Sequence, residues 1–258
     1  MSKLEQLMKL NNWLLNDMPQ YKSQAFRFTK EEQAQWQLFR SLVNVREPGP
    51  VSSDFIEMQD YFLQDEAIRK GITDISDLTP IQDKIYLWQG DITTLRVDAI
   101  VNAANSGMTG CYCPCHGCID NAIHTFAGVQ IRQECAALMQ KQGFPEPTGQ
   151  AKITKAYNLP CNYVIHTVGP IVTGKLTENE CMLLASCYQA CLELADLHQL
   201  KSLAFCCIST GEFHFPNQKA AEIAVKAVKA YLASHTDISI VFNVFKDEDY
   251  EIYRKLLS

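Results

Sequence analysis

Ala99-Ile100-Val101-Asn102-Ala103-Ala104-Asn105-Ser106-Gly107 (AIVNAANSG, residues 99–107) begins as a short apolar run and turns polar within three residues. A run of this kind, bounded by turn-forming residues, suits a strand buried on both faces that ends in a loop. The pattern recurs. Ile85-Tyr86-Leu87-Trp88 is a second run expected to be buried on both faces, and further strands are predicted at residues 151–156, 163–167, 202–207 and 238–242. Helical patterns lie between them, at about 120–139, 178–197 and 219–234, with a last helix from Asp249. Strands alternating with helices predict an α/β layered domain. Ligands of such domains bind outside the carboxyl ends of the strands, in the loops that lead into helices. Two of those loops are unusual here. Asn102–Gly107 runs into a cluster of cysteines. Ile208-Ser209-Thr210-Gly211-Glu212-Phe213, after Phe205-Cys206-Cys207, is short and polar and contains a glycine. Its backbone N–H groups suit an anion such as phosphate, although S-T-G turns are common and the loop alone is a weak signal.

Upstream of Lys84 the periodicity is helical. Leu4, Leu7, Met8, Trp13, Leu14 and Leu15 follow helical spacing. Thr29-Lys30-Glu31-Glu32 matches a capping box ahead of Trp36, Phe39, Leu42 and Val43. Pro48-Gly49-Pro50 interrupts the chain, and a third helix is predicted from about Ser53 to near Gly71. The chain thus divides into a helical extension over residues 1–75 and an α/β domain over residues 76–258.

An apolar fraction of 47% in 258 residues is ample for a sizeable core. The net charge is −6 and no basic block stands out. Binding a nucleic-acid backbone needs a cationic footprint, so no nucleic-acid partner is expected. No window approaches the roughly 18 apolar residues of a membrane span, so no membrane partner is expected either. The start, MSKLEQLMKL, lacks an apolar h-region, and a cytoplasmic location is expected. There are 11 cysteines, an odd number, and without a secretory signal a disulfide framework is not expected. Cys135, Cys161, Cys181, Cys187, Cys191, Cys206 and Cys207 mostly fall in apolar periodic segments and are expected as buried thiols.

The other four, Cys111, Cys113, Cys115 and Cys118, crowd with His116 into GCYCPCHGCIDNAIH (residues 110–124). Soft thiolates with an imidazole in a reducing compartment favour zinc. The spacing C-x-C-x-C-H-x-C differs from the paired C-x2-C units of structural zinc fingers and does not fix the ligand set. A closed four-ligand site, an open three-ligand site and a redox thiol pair all fit these residue types.

Five segments in order carry a resemblance: QGDIT at 89–93, VNAAN at 101–105, DNAIH at 120–124, YVIHTVGP at 163–170 and STG at 209–211. Together they resemble the macrodomain family, in particular its MacroD-like de-ADP-ribosylating branch. The likeness spans about Lys84 to the C-terminus and leaves the helical extension outside. It implies a three-layer α/β/α sandwich around a mixed sheet that binds ADP-ribose. Carried over residue by residue, Asp91 matches the aspartate on the adenine amino group, and Ile92 lines the same pocket. Asn105 and Asp120 match the catalytic pair beside the distal ribose, with Cys118 and Ile119 next to it. Ser209, Thr210, Gly211, Glu212 and Phe213 match the phosphate loop.

Two departures stand out. Cys115-His116-Gly117-Cys118-Ile119 replaces the branch's glycine run, and Glu212 puts a carboxylate beside the diphosphate, so its side chain is expected to point away. C-x4-H-x-C followed by I-D-N-x-I-H is similar to a zinc-containing macrodomain class found beside sirtuin-type enzymes in microbial operons. That likeness implies Cys111, His116 and Cys118 as ligands of a Zn²⁺ cofactor. The implied activity is a zinc-assisted protein mono-ADP-ribosylhydrolase. The alternatives are a non-catalytic ADP-ribose reader and a hydrolase of O-acetyl-ADP-ribose or ADP-ribose 1″-phosphate. The implied partner is a mono-ADP-ribosylated protein, with a lipoate-carrier protein modified by a sirtuin-type transferase as the analogy's suggestion. Asp120 is expected as a surface aspartate near its ordinary pKa, and His124 and His166 as structural residues.

Overall fold

The computed structural model describes residues 1–258. Four helices come first: α1 (Lys3–Asp17), the single turn α2 (Lys22–Ala25), α3 (Glu32–Val45) and α4 (Ser53–Lys70). Ser2 and Glu5 close a capping box on α1. The box predicted at Thr29–Glu32 does not form. Glu31 occupies the cap of α3 without a side-chain bond, and the Thr29 carbonyl instead accepts from Gln35 Nε2 at 2.8 Å. Gly71, at φ +87, ends α4 as expected. These helices bury Leu7, Leu10, Leu14, Phe39, Phe55 and Phe62 against one another, and Val129 from the other half of the chain joins that cluster.

The α/β part follows with β1 (Thr73–Asp74), β2 (Ile85–Gln89), β3 (Leu95–Arg96), β4 (Ala99–Ala104), α5 (Ile119–Ala127) and α6 (Val129–Gln142). It continues through β5 (Ala151–Lys155), β6 (Tyr163–Val168), α7 (Glu178–Leu197), β7 (Ser202–Phe205), α8 (Asn217–Leu232), β8 (Ser239–Val244) and α9 (Asp247–Leu257). The six-stranded sheet has the order β2-β8-β7-β4-β6-β5. All neighbours are parallel except β5 and β6, so the sheet is mixed. Helices cover both faces, and side-chain alternation shows how. Asn102 and His166 are register partners, and His166 Nε2 lies 3.8 Å from Cys135 Sγ of α6. Phe205, one position past the paired Ile100 and Ala204, falls on the opposite face and meets Tyr188 of α7 at 4.9 Å between ring centroids. The architecture is the three-layer α/β/α sandwich.

Three expectations need correction. β2 is not buried on both faces: Ile85 is buried, but Tyr86, Leu87 and Trp88 are half-buried, because β2 is an edge strand with β8 as its one neighbour. β4 runs on to Ala104, so Asn102 belongs to the strand and its side chain is fully buried. The helix predicted over 120–139 is two helices, divided at Gly128, whose φ of +93 and ψ of 175 lie in territory that essentially only glycine occupies. The break lets Gln59 of α4 accept the Val129 N–H at 3.0 Å, supplying a partner for one of the four free donors at the start of α6. A Cβ on Gly128 would also sit 2.5 Å from Gln59 Nε2. Gly128→Ala should therefore cost about 2 kcal/mol, read as a fall in Tm of roughly 4–8 °C.

Candidate active site

A groove of about 1170 Å³ opens where β4, β7 and β8 end. Every site residue anticipated from the sequence lines it: Asp91, Ile92, Asn105, Cys111, His116, Cys118, Ile119, Asp120 and Ser209 through Phe213. Asn243, near the end of β8, and Phe245 and Lys246, in the turn after it, line it as well. They follow the carboxyl end of a predicted strand, so the rule that found the other loops also covers them. Arg40 of α3 and Lys70 of α4 also face the groove, and nothing local in a helical extension signals that.

Asp91 stands at the cap of a short turn, Ile92–Thr94. Its Oδ1 accepts from the Thr93 N–H at 2.9 Å and the Thr93 hydroxyl at 2.6 Å, while Oδ2 pairs with Lys70 Nζ. Burial pushes this carboxyl up, but the Lys70 ammonium and the Thr93 donors outweigh it and hold the group below the usual carboxylate range. Lys70 Nζ also lies 3.7 Å from the centroid of the Phe126 ring.

At the centre of the groove, Asp120 is in the first turn of α5, which folds back over β4. It is not the surface aspartate expected: it is 5% exposed. Burial pushes its carboxyl up to about 6, against the partial opposition of Asn102, Arg132 and Asn105. Oδ1 accepts from Asn102 Nδ2 at 2.8 Å and Oδ2 from Asn105 Nδ2 at 3.3 Å. Asn105 is itself held by a bond from Nδ2 to the Gly110 carbonyl at 3.1 Å and by the Gly107 N–H on its Oδ1 at 2.9 Å. His124 and His166 are buried beneath this centre. His166 lies 2.9 Å from Thr154 Oγ1 and 3.1 Å from Asn102 Nδ2, and burial lowers its pKa to about 3.

The cysteine loop brings together one ligand atom each from Cys111, His116 and Cys118, all within 4.8 Å of one another. Cys111 Sγ and His116 Nδ1 are 3.7 Å apart, a separation that two donors on one zinc at about 2.3 and 2.0 Å would span. Cys118 caps α5, and its sulfur accepts the Asn121 N–H at 3.4 Å. Burial, with Cys111 alongside, pushes the Cys118 thiol up to about 12, so ligation as a thiolate needs the charge of a cation. Cys113 and Cys115 lie outside this cluster. Both are exposed, and Cys115 Sγ turns to Ser41 Oγ at 3.3 Å and the Gln37 carbonyl at 3.5 Å.

Across the groove, the N–H groups of Gly211, Glu212 and Phe213 donate to no other backbone group, an arrangement that suits an anion. Ser209 adopts φ +65, and its loop presses on the end of β6 so closely that a Cβ on Gly169 would meet Ser209 Oγ at 2.0 Å. The Glu212 side chain turns toward the cysteine loop, and its Oε1 lies 3.5 Å from His116 Nε2.

These features define an α/β/α sandwich protein whose groove carries unpaired backbone N–H groups on one side and a three-donor thiol and imidazole cluster on the other. The chain belongs to the macrodomain family. The Macro domain family model matches residues 101–224. A protein-ADP-ribose hydrolase of Treponema medium is 54% identical over 263 residues, covering all of both chains. One of Staphylococcus aureus (strain MSSA476) is 52% identical over 226 residues, or 85% of this chain and 84% of that one. A Trypanosoma brucei macrodomain solved in complex with ADP-ribose superposes with a TM-score of 0.65 at 31% identity, covering 85% of this chain and 95% of that one. No helix is long and apolar enough to cross a membrane.

Proposed function

We propose that this chain hydrolyses mono-ADP-ribose from protein side chains with a zinc-assisted site. The observation that carries this is the placing of the Cys111, His116 and Cys118 donors in the same groove as Asn105 and Asp120, in a chain whose relatives at 52–54% identity are protein-ADP-ribose hydrolases. The donor set suits zinc: two sulfurs and one ring nitrogen, with no fourth protein donor in the cluster. Zinc held by these three residues would supply a Lewis acid to the reaction.

The protein's own residues do the rest. Asp91 accepts from the adenine amino group, and the ring of Phe245, 77% exposed at the rim, offers a face to the base. The free N–H groups of Gly211–Phe213 bind the diphosphate. Asn105 and Asp120 hold the distal ribose and a water. The water oxygen bonds to the anomeric carbon as the bond to the protein side chain breaks. That side chain leaves with the bonding electrons, and Asp120 accepts the proton that the water loses and passes it to the leaving side chain. The substrate is a mono-ADP-ribosylated protein, and a lipoate-carrier protein modified by a sirtuin-type transferase is the first to try. The setting is cytoplasmic, the compartment in which eleven free cysteines stay reduced.

The test is turnover on a mono-ADP-ribosylated carrier protein, with metal content measured on the same preparation. Expected are free ADP-ribose, an unmodified carrier and about one zinc per chain. Tight ADP-ribose binding with the carrier still modified would make the protein a reader. Turnover confined to O-acetyl-ADP-ribose or ADP-ribose 1″-phosphate would reassign the substrate. Full turnover with less than about half an equivalent of zinc would remove the metal from the reaction.

A further inference from the structure

We infer that the N-terminal helices are part of the zinc site, with Arg40 as a positioning residue that sets His116 and Cys118 at ligand spacing. This rests on the zinc reading above. The loop from Cys111 to Cys118 contains no helix or strand, and three of its residues in a row, Cys113, Pro114 and Cys115, are exposed. Such a segment has little internal reason to keep three donors together, and ordering it costs roughly 1–2 kcal/mol per residue in backbone entropy. Its shape is imposed from α3. Arg40 Nη2 donates to the His116 carbonyl at 2.8 Å. The same guanidinium donates from Nε and Nη2 to Asn121 Oδ1 at 3.1 and 2.8 Å. Asn121 in turn gives its N–H to Cys118 Sγ and its Nδ2 to the Cys113 carbonyl, at 3.4 and 2.9 Å. One side chain from the extension thus grips one ligand residue directly and a second through Asn121.

Other bonds stiffen the platform. Asn44 Oδ1 accepts the Cys115 N–H at 2.9 Å, beside a backbone held at φ +54. Arg132 Nη1 gathers the carbonyls of Val43, Asn44 and Arg46 at the end of α3, and its guanidinium lies 4.4 Å from the centroid of the Tyr112 ring. Residues that orient ligands from behind typically change metal affinity 10–100-fold. Lysine cannot reproduce the fork that Arg40 makes to Asn121 and His116.

The experiment uses the full chain and three proteins: the wild type, Arg40→Ala and Arg40→Lys. Zn²⁺ affinity is measured by competition with a chromophoric chelator, the Co²⁺-substituted absorption spectrum is recorded, and Tm and ADP-ribose affinity serve as controls. Both variants should bind Zn²⁺ 10–100-fold more weakly and show a shifted Co²⁺ spectrum, with ADP-ribose affinity close to wild type and Tm lowered only by the loss of the Arg40 donors to the buried Asn121 side chain. Unchanged Zn²⁺ affinity and an unchanged spectrum would overturn the positioning role while leaving the zinc reading standing. Parallel losses of Tm, ADP-ribose affinity and Zn²⁺ affinity would reduce Arg40 to a fold contact and equally overturn it. A wild-type chain that holds no zinc would bring down the zinc reading itself, and this inference with it.

Discussion

Cys118→Ala is expected to slow ADP-ribose release from a modified protein by about 10³-fold or more, with affinity for free ADP-ribose changed only a few-fold. The split follows from where Cys118 acts. Its sulfur is one of three cluster donors, and losing the Lewis acid forfeits several kcal/mol of transition-state stabilisation. The Gly211–Phe213 loop and Asp91 belong to other elements and make no hydrogen bond to Cys118. Cys118 also caps α5, and a lost cap costs about 1 kcal/mol, so a small fall in Tm is expected too. Cys118→Ser separates the two roles: a hydroxyl restores the cap but is a poor substitute for a soft zinc ligand. Single-turnover release rates beside calorimetric ADP-ribose binding provide the check. A Cys118→Ala protein that releases ADP-ribose at the wild-type rate would refute the zinc mechanism.

Asp120→Asn should lower kcat by about 10²–10⁴-fold, the range for losing a positioned acid-base group. Zinc content should stay at the wild-type level, since Asp120 is not in the donor cluster. The carboxylate is held from two sides by amide donors of Asn102 and Asn105. An asparagine in its place turns an N–H group toward at least one of those donors, and a buried polar group left unpaired costs about 1–3 kcal/mol. Some loss of Tm is therefore built into the expectation. Kinetics at saturating substrate distinguish the two effects: a variant with lower Tm and unchanged kcat would leave Asp120 as scaffold only.

Much of the fold was legible because the signals are local. Strand and helix alternation after Lys84 announced an α/β sandwich, and the loops at strand ends marked where the groove would open. Failures came where one element's environment depends on another. The helix written through Gly128 looked continuous because its apolar spacing persists, yet Gln59 takes the Val129 N–H where the chain breaks. An aspartate at a helix start reads as a surface residue, yet Asp120 is buried. Glu212 reaches His116 on the facing loop, a pairing that no local pattern signals.

By itself, the sequence determined the layered class, the order of the site motifs and the crowding of soft donors into one loop, since periodicity and local composition are properties of short stretches. Only the folded chain decided which of four cysteines would meet His116, how deeply Asp120 would be buried, and that Arg40 and Lys70 of a seemingly separate extension would face the groove. The physical reason is distance along the chain. Arg40 reaches its partners in the cysteine loop and α5 across sequence separations of 76 and 81 residues, and such contacts exist only once the helices have packed.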